Sequence, residues 1–249
     1  MMRVLLLGGT TEASAMARRL ADAGVDAVFS YAGRTLAPVA QPLPTRVGGF
    51  GGAAGLRTYL EAEKITHVID ATHPFAAGMS RNAFDACTHA QVSLIRLERP
   101  AWVAQDGDRW TILPRLEDAP AALPDTPTRV FLAIGKQQIA FFATKPQHHY
   151  LLRLVDAPDA ALPLPKTTVV TARGPFDVAG DRALMAQHRI THVVAKNSGG
   201  AGAQAKLDAA RALGLSVLMV ARPDLPGIHV TGQVDEVMAW LGHVTARGV

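Results

Sequence analysis

The sequence of 249 residues predicts an α/β protein of two lobes, each a mostly parallel sheet flanked by helices, with a cleft between them. Three observations predict it. Short apolar segments of strand length alternate with alanine-rich helical ones; the alternation lapses once, over a proline-rich stretch at 101–127, and then resumes; and strand motifs recur at a fixed spacing. Ile65-Thr66-His67-Val68-Ile69 returns as Ile190-Thr191-His192-Val193-Val194, an offset of 125, and Arg3-Val4-Leu5-Leu6 returns as Arg129-Val130-Phe131-Leu132, an offset of 126. Strands that are continuously apolar belong to parallel sheets covered on both faces. Chance likeness between short apolar strands is the alternative to a duplicated topology, and no later step needs common ancestry.

In chain order, Arg3–Leu7 reads as a strand, Gly8 to Thr11 as a loop, and Ala13, Met16, Ala17 and Leu20 as the apolar stripe of a helix ending at Gly24. A strand at Ala27–Tyr31, a helix at 53–63, a strand at Thr66–Ala71, a helix at 75–90 and a strand at Ser93–Leu97 follow. The 101–127 stretch reads as a linker with a short helix. Beyond it come strands at 129–133, 150–155, 168–171, 191–195 and 216–220, and helices at 136–143, 177–188, 201–213 and 235–241. The expected division is 1–113 for a cofactor lobe and 114–249 for a second lobe, with the C-terminal helix able to pack back on the first.

Lys and Arg number 25 against 21 Asp and Glu, a net charge of +4 with the cations scattered rather than clustered. That pattern argues against nucleic acid and is compatible with steering a small polyanion. Cys87 is the single cysteine, which excludes an internal disulfide and a multi-cysteine metal centre. No run of eighteen apolar residues suggests a membrane span, and Leu5-Leu6-Leu7 is too short for a signal-peptide core. A cytoplasmic protein is the expectation.

Gly8-Gly9-Thr10-Thr11-Glu12 lies where a strand passes into a helix, the place where free N–H groups and the helix dipole hold phosphate. It departs from the dinucleotide fingerprint: Thr10 stands at the second glycine and Ala13 at the third. The Thr10 hydroxyl can bond phosphate or cap the helix, and a plain tight turn is the alternative. The second strand ends Ser30-Tyr31-Ala32-Gly33-Arg34 with no carboxylate for a ribose 2′-hydroxyl. Arg34 with Ser30 is the expected holder of a 2′-phosphate, which favours NADPH; a solvated loop arginine is the other reading. Gly49, Phe50 and Gly51 form a second glycine cluster able to let a ligand approach backbone and ring. Thr72 and His73 lead from a strand into Pro74 and a helix; His73 is the candidate for proton transfer, with a cap or packing role as the alternative, and no catalytic residue is assigned beyond it. His188 and His192 straddle a strand start, so no metal site is expected. In the second half Lys136, Arg173-Gly174 and Lys196 to Ser198 each follow a strand, and Arg99 and Arg222 each precede a proline. These join cations to small residues, a combination suited to carboxylate or phosphate.

Taken together, the Gly-Gly-Thr-Thr-Glu loop, Asp70-Ala71-Thr72-His73-Pro74-Phe75, Arg99-Pro100, Arg173-Gly174-Pro175-Phe176, Lys196-Asn197-Ser198-Gly199-Gly200 and Arg222-Pro223 resemble the precorrin-6A reductase family over the whole chain. The resemblance implies two Rossmann-like lobes with cofactor and substrate between them. It also implies an NADPH-dependent enzyme of cobalamin biosynthesis that delivers a hydride to C19 of a tetrapyrrole, forming precorrin-6B, with a proton added to the adjacent carbon. Arg99, Lys136, Arg173, Gly174, Lys196, Ser198 and Arg222 then face the carboxylates of the macrocycle. Gly8, Gly9, Thr10, Thr11, Glu12, Ser30, Tyr31, Arg34, Gly49, Phe50, Gly51, Thr72 and His73 face the cofactor. A monomer is expected, at most weakly associated with neighbouring pathway enzymes, and without nucleic-acid or membrane partners. The cobalt-containing substrate of the anaerobic route and a non-enzymatic two-lobed sensor of a nucleotide or metabolite remain as alternatives.

Overall fold

The computed structural model describes residues 1–33, 39–155, 157–158, 160–225 and 227–246. Its strands and α-helices run β1 (Val4–Leu7), α1 (Thr11–Asp22), β2 (Ala27–Tyr31), β3 (Thr45–Val47), α2 (Gly52–Ala62), β4 (His67–Asp70), α3 (Ala77–Ala90) and β5 (Ser93–Leu97). They continue β6 (Arg109–Leu113), α4 (Ala119–Ala122), β7 (Arg129–Ala133), β8 (His149–Leu154), β9 (Thr167–Thr171), α5 (Val178–Gln187), β10 (His192–Lys196), α6 (Ala205–Ala212), β11 (Ser216–Val220), β12 (His229–Thr231) and α7 (Val234–Ala246).

Two sheets of six strands result, ordered β12-β5-β4-β1-β2-β3 and β6-β11-β10-β7-β8-β9, with every pairing parallel. The first sheet follows the doubly wound order 3-2-1-4-5 with β12 as a sixth strand beyond the fifth; in the second, β7 to β11 follow the same order and the strand beyond the fifth is β6, which precedes them in the chain. The two recurrent motifs occupy equivalent places, since Val4 pairs with His67 in one sheet and Val130 with His192 in the other.

The chain divides into two compact units, Met1–Pro100 with Asp224–Val249, and Ala101–Pro223. The expected boundary at 113/114 differs because β6 belongs to the second sheet, where Arg109–Leu113 pairs with Ser216–Val220 along its length. Trp102 is also fastened inside that unit: its N–H donates to Asn197 Oδ1 at 2.8 Å, its carbonyl accepts from Asn197 Nδ2 at 2.9 Å, and its indole donates to Gly200 O at 3.0 Å. The last segment belongs to the first unit, where β12 pairs with β5 and α7 packs on α1.

In the first unit, β1 is wholly buried and its side chains alternate between two cores. Val4 and Leu6 join Met16, Leu20, Phe29, Ile69, Val237 and Leu241 on the α1/α7 face, while Leu5 and Leu7 join Leu56, Leu60, Val68, Ala83 and Cys87 on the α2/α3 face. Each fully buried leucine contributes about 1.5–3 kcal/mol relative to exposure. In the second unit Phe131, Leu151, Met185, Val193, Leu207, Val217 and Met219 form one such core.

Three strands escaped the apolar pattern: β3, β6 and β12. All three sit at sheet edges and are largely exposed, so burial does not impose the signal by which inner strands are read. The segment Lys136–Thr144 is a 3-10 helix rather than the expected α-helix. Its buried residues, Ile139 and Phe142, are three apart, the spacing that brings side chains into line in that narrower helix. Among the described residues no helix is long and apolar enough to cross a membrane.

Candidate functional site

The carboxyl end of β1 passes into α1 through a turn that glycine makes possible. A β-carbon on Gly8 would stand 2.1 Å from the Phe29 ring, so that ring occupies the space a side chain needs. Gly9 has open space but φ +126, a conformation that L side chains rarely adopt. Gly8 N–H donates to Ser30 O at 3.0 Å. Thr10 is the N-cap: its hydroxyl accepts from Ala13 N at 3.1 Å and donates to Ala71 O at 2.8 Å. Its one proton being engaged, Thr10 shapes the loop rather than donating to a ligand. Among the described residues nothing accepts from the N–H groups of Gly9, Thr10 and Thr11, which stand at the positive end of α1.

Glu12 in the first turn of α1 pairs with Arg99 at 2.8 Å and accepts from the Thr11 hydroxyl at 3.1 Å. Burial pushes its carboxyl upward, but a backbone hydrogen bond, the Arg99 charge and these side-chain bonds outweigh that and hold it below the usual value. Arg99, expected among the substrate carboxylate partners, therefore lies in the first unit, neutralising a carboxylate beside the glycine turn.

At the end of β2, Ser30 is paired in register with Arg46 of β3. Arg46 Nη1 donates to Ser30 Oγ at 2.7 Å and to Gly48 O at 3.0 Å, Nη2 donates to Gly49 O at 3.3 Å, and the guanidinium lies 3.9 Å above the Phe50 ring. Gly51, the residue before α2, has φ +81 and leaves that helix without a side-chain cap. Tyr31 is bound to the segment after it, its hydroxyl donating to Val39 O at 2.8 Å and accepting from Gln41 Nε2 at 2.6 Å. Arg34, the expected partner of Ser30, lies outside the described residues.

Below the turn a buried polar network joins β4 and β5. Asp70 and Arg96 are register partners, and Arg96 Nη1 lies 2.6 Å from Asp70 Oδ2, the two side chains 2% and 0% exposed. Ser80 of α3 donates to the same oxygen at 2.6 Å, Glu98 accepts from Arg96 Nε at 2.7 Å, and Asp70 Oδ1 accepts from Thr72 N at 3.1 Å and Thr72 Oγ1 at 2.6 Å. Asp70 is the hub: one oxygen ties β4 to β5 and α3 and the other holds Thr72 of the β4–α3 loop. Thr72, expected at the cofactor, has its hydroxyl proton turned to Asp70. His73 on the same loop is exposed, and its Nδ1 accepts from Phe75 N at 3.2 Å, which places the proton of the neutral ring on Nε2.

In the second unit the expected cations separate into two kinds. Lys136 and Arg173 are exposed, as is Gly174. Arg222 is bound to its own loop, Nε donating to Asn197 O at 3.0 Å and Nη2 to Ser198 O at 3.3 Å, and Ser198 is buried. Lys196 is part-buried and donates to Gln138 Oε1, and burial lowers its pKa. Among the described residues no group of three or more His, Cys, Asp or Glu is placed to hold a metal ion. Cys87 is buried, and desolvation with the nearby Asp70 charge pushes its thiol up to about 12.

Arg46 and Arg96 lie in none of the motifs, and Asp70 and Asn197, which lie inside two of them, were given no role. For Asp70 and Arg96 a signal was present: a charge inside an otherwise apolar strand, Val68-Ile69-Asp70 and Leu94-Ile95-Arg96, requires a buried partner. Arg46 and Asn197 carried none, because strand pairing and loop folding bring their partners to them.

The two doubly wound sheets, with a glycine turn leading into a helix after the first strand, define a Rossmann-like α/β protein. A family model described as "Precorrin-6x reductase CbiJ/CobK" matches residues 3–242. A precorrin-6A reductase of Rhodobacter capsulatus is 61% identical over 100% of both chains, and one of Rhodococcus erythropolis is 49% identical over 99% of this chain and 100% of its own. A cobalt-precorrin-6A reductase of Priestia megaterium is 29% identical over 94% of this chain and 96% of its own. The solved structure titled "CobK precorrin-6A reductase" superposes with a TM-score of 0.92 at 61% identity, over 98% of this chain and 97% of that one. The chain belongs to the precorrin-6x reductase CbiJ/CobK family and is a reductase enzyme of cobalamin biosynthesis. The reading as a non-enzymatic sensor falls with that.

Proposed function

We propose that the chain is a precorrin-6A reductase that uses NADPH. The observation that carries the cofactor reading is the set of N–H groups on Gly9, Thr10 and Thr11, unpartnered among the described residues and directed by a glycine turn at the positive end of α1. When bound, NADPH supplies a hydride from C4 of its nicotinamide to C19 of the macrocycle. The protein's own part is binding and orientation. Gly8 and Gly9 keep side chains away from the phosphates, Arg99 cancels the Glu12 charge that would repel them, and the Asp70–Arg96 network fixes the loop carrying Thr72 and His73.

On the second unit, Lys136 and Arg173 offer exposed cations to the acetate and propionate groups of the substrate, with Gly174 giving room. Lys196, whose charge is made costly by burial, gains from a carboxylate partner. Arg222 holds the loop of Asn197 and Ser198 in shape for the same surface. His73 is the candidate proton donor to the carbon beside C19, a role that calls for its imidazolium form, which returns to the neutral ring on giving up the proton. The cobalt-free substrate is favoured by the relatives of highest identity, which carry the precorrin-6A name, whereas the cobalt-precorrin-6A name belongs to the relative at 29%. A cytoplasmic site of action is part of the reading.

Mixing the protein with NADPH and purified precorrin-6A, and in parallel with the cobalt form, tests it by the loss of NADPH absorbance. Oxidation of NADPH with precorrin-6A supports the reading. Turnover with the cobalt form alone, or with NADH in preference to NADPH, overturns the corresponding half.

A further inference from the structure

We infer that Arg46 on β3, acting with the hydroxyl of Ser30, is the residue by which this chain selects a cofactor bearing a 2′-phosphate. The inference rests on the NADPH reading above and names a residue that no sequence motif marks.

Three features of Arg46 lead there. The first is its charge balance. Within the same unit Arg3, Arg19, Arg57, Arg96 and Arg99 each pair with a carboxylate, whereas the partners of Arg46 are a hydroxyl, two carbonyls and the rings of Phe50 and Tyr59. Among the described residues no carboxylate neutralises it, so a positive charge is held in place by neutral groups alone.

The second is its remaining hydrogen-bonding capacity. A guanidinium has five N–H donors. Nη1 uses both of its hydrogens on Ser30 and Gly48, and Nη2 uses one on Gly49, which among the described residues leaves Nε–H and one Nη2–H. Ser30 Oγ accepts from Arg46, so its own O–H remains a donor. Three donors with one full charge suit a phosphate dianion; a neutral ribose 2′-hydroxyl gains nothing from the charge. The Phe50 ring and the loop carbonyls fix the guanidinium plane beforehand, so little side-chain entropy is lost when the anion arrives.

The third is its place. Leu7, the last residue of β1, pairs with Ser30, and Ser30 pairs with Arg46. The guanidinium is thus rooted two strands from the glycine turn, roughly 10 Å at the usual strand spacing. This is the side of the sheet on which a dinucleotide held at the β1–α1 turn lays its adenosine ribose. Gly48, at φ +128, turns the chain there, so its carbonyl meets Arg46.

The test is calorimetric binding of 2′,5′-ADP and 5′-ADP, together with NADPH and NADH kinetics, for the wild type, Arg46→Gln, Arg46→Lys and Arg34→Gln. The wild type should favour the 2′-phosphorylated ligands. Arg46→Gln should weaken 2′,5′-ADP about 10- to 100-fold, the value of a charged hydrogen-bonded contact, with 5′-ADP unchanged. It should raise KM for NADPH without lowering kcat, a split that a general loosening of the β3–α2 loop would not produce. Arg46→Lys keeps the charge and loses the fork; a smaller loss confined to 2′,5′-ADP is expected, and this variant serves if the glutamine form does not fold. An equal loss for both nucleotides, or a preference preserved in Arg46→Gln and abolished only in Arg34→Gln, overturns the inference while leaving the NADPH reading intact. A wild type without preference for the 2′-phosphate overturns both.

Discussion

Arg96 and Asp70 are register partners on adjacent strands, joined at 2.6 Å with both side chains out of solvent. Ionised groups so placed lose hydration and are tolerated because each completes the other. Their oxygens and nitrogens also hold Ser80, Glu98 and Thr72, so the pair ties α3 and the β4–α3 loop to the sheet beneath the candidate cofactor turn.

Removing Arg96 leaves the buried Asp70 charge with hydroxyl and backbone partners alone, and removing Asp70 leaves the buried Arg96 with Glu98 as its carboxylate. Asp70→Ala should therefore lower stability by about 3–5 kcal/mol in urea denaturation, and Arg96→Met by a similar amount. The double replacement by apolar residues should cost less than the sum of the two, because neither Asp70 nor Arg96 is then left as a buried charge without the other; additive losses would show that the two side chains act separately.

Gly8→Ala puts a methyl into the Phe29 ring. A loss of about 1–3 kcal/mol is expected from overpacking, with weaker cofactor binding as the turn shifts. Phe29→Leu in the same chain should restore part of both; no restoration would place the cost in the backbone rather than in this contact.

Stability should decline as pH falls below about 6.5. Burial lowers the pKa of His67, His148, His149 and His192 from 6.5, so in the window beneath that value the unfolded chain binds more protons than the folded one. Their contribution is present above 6.5 and is lost as pH falls toward the lowered values. Among the described residues His67 Nε2 and His148 Nε2 are buried without a hydrogen-bond partner, so a charge on either ring would be buried and poorly solvated. Denaturation midpoints measured across this range check the sign; a midpoint that rises on acidification would contradict it.

Lys196→Ala and Arg173→Ala should each weaken the macrocycle by roughly 1–3 kcal/mol, read as a raised KM for precorrin-6A with the NADPH dissociation constant unchanged. Loss of NADPH affinity instead would move these residues to the cofactor. Lys196→Ala also frees Gln138, so its thermal stability should be measured alongside.

The alternation of apolar strand and alanine-rich helix, read from runs such as Val4–Leu7, was enough to indicate two parallel sheets covered on both faces, because a strand buried on both sides has no polar positions to disguise it. The glycine turn at Gly8 and Gly9 was equally legible, since only glycine meets its steric terms. What escaped was held by partners that only the folded chain supplies, most of them distant in sequence. β6 and β12 are exposed edge strands whose pairing with β11 and β5 moved the unit boundary from 113 to 100. Thr10 and Thr72 carried hydroxyls suited to a ligand, and the fold turned them to Ala71 and Asp70. Arg99 and Arg222 were cations in the right motifs, and the fold tied one to Glu12 and the other to its own loop. Sequence alone determined the class of fold and the place of the glycine turn, because hydrophobic period and glycine geometry are local properties. Tertiary structure decided which polar side chains remain available to a ligand, because a hydrogen bond to a residue sixty positions away is made only when strands align.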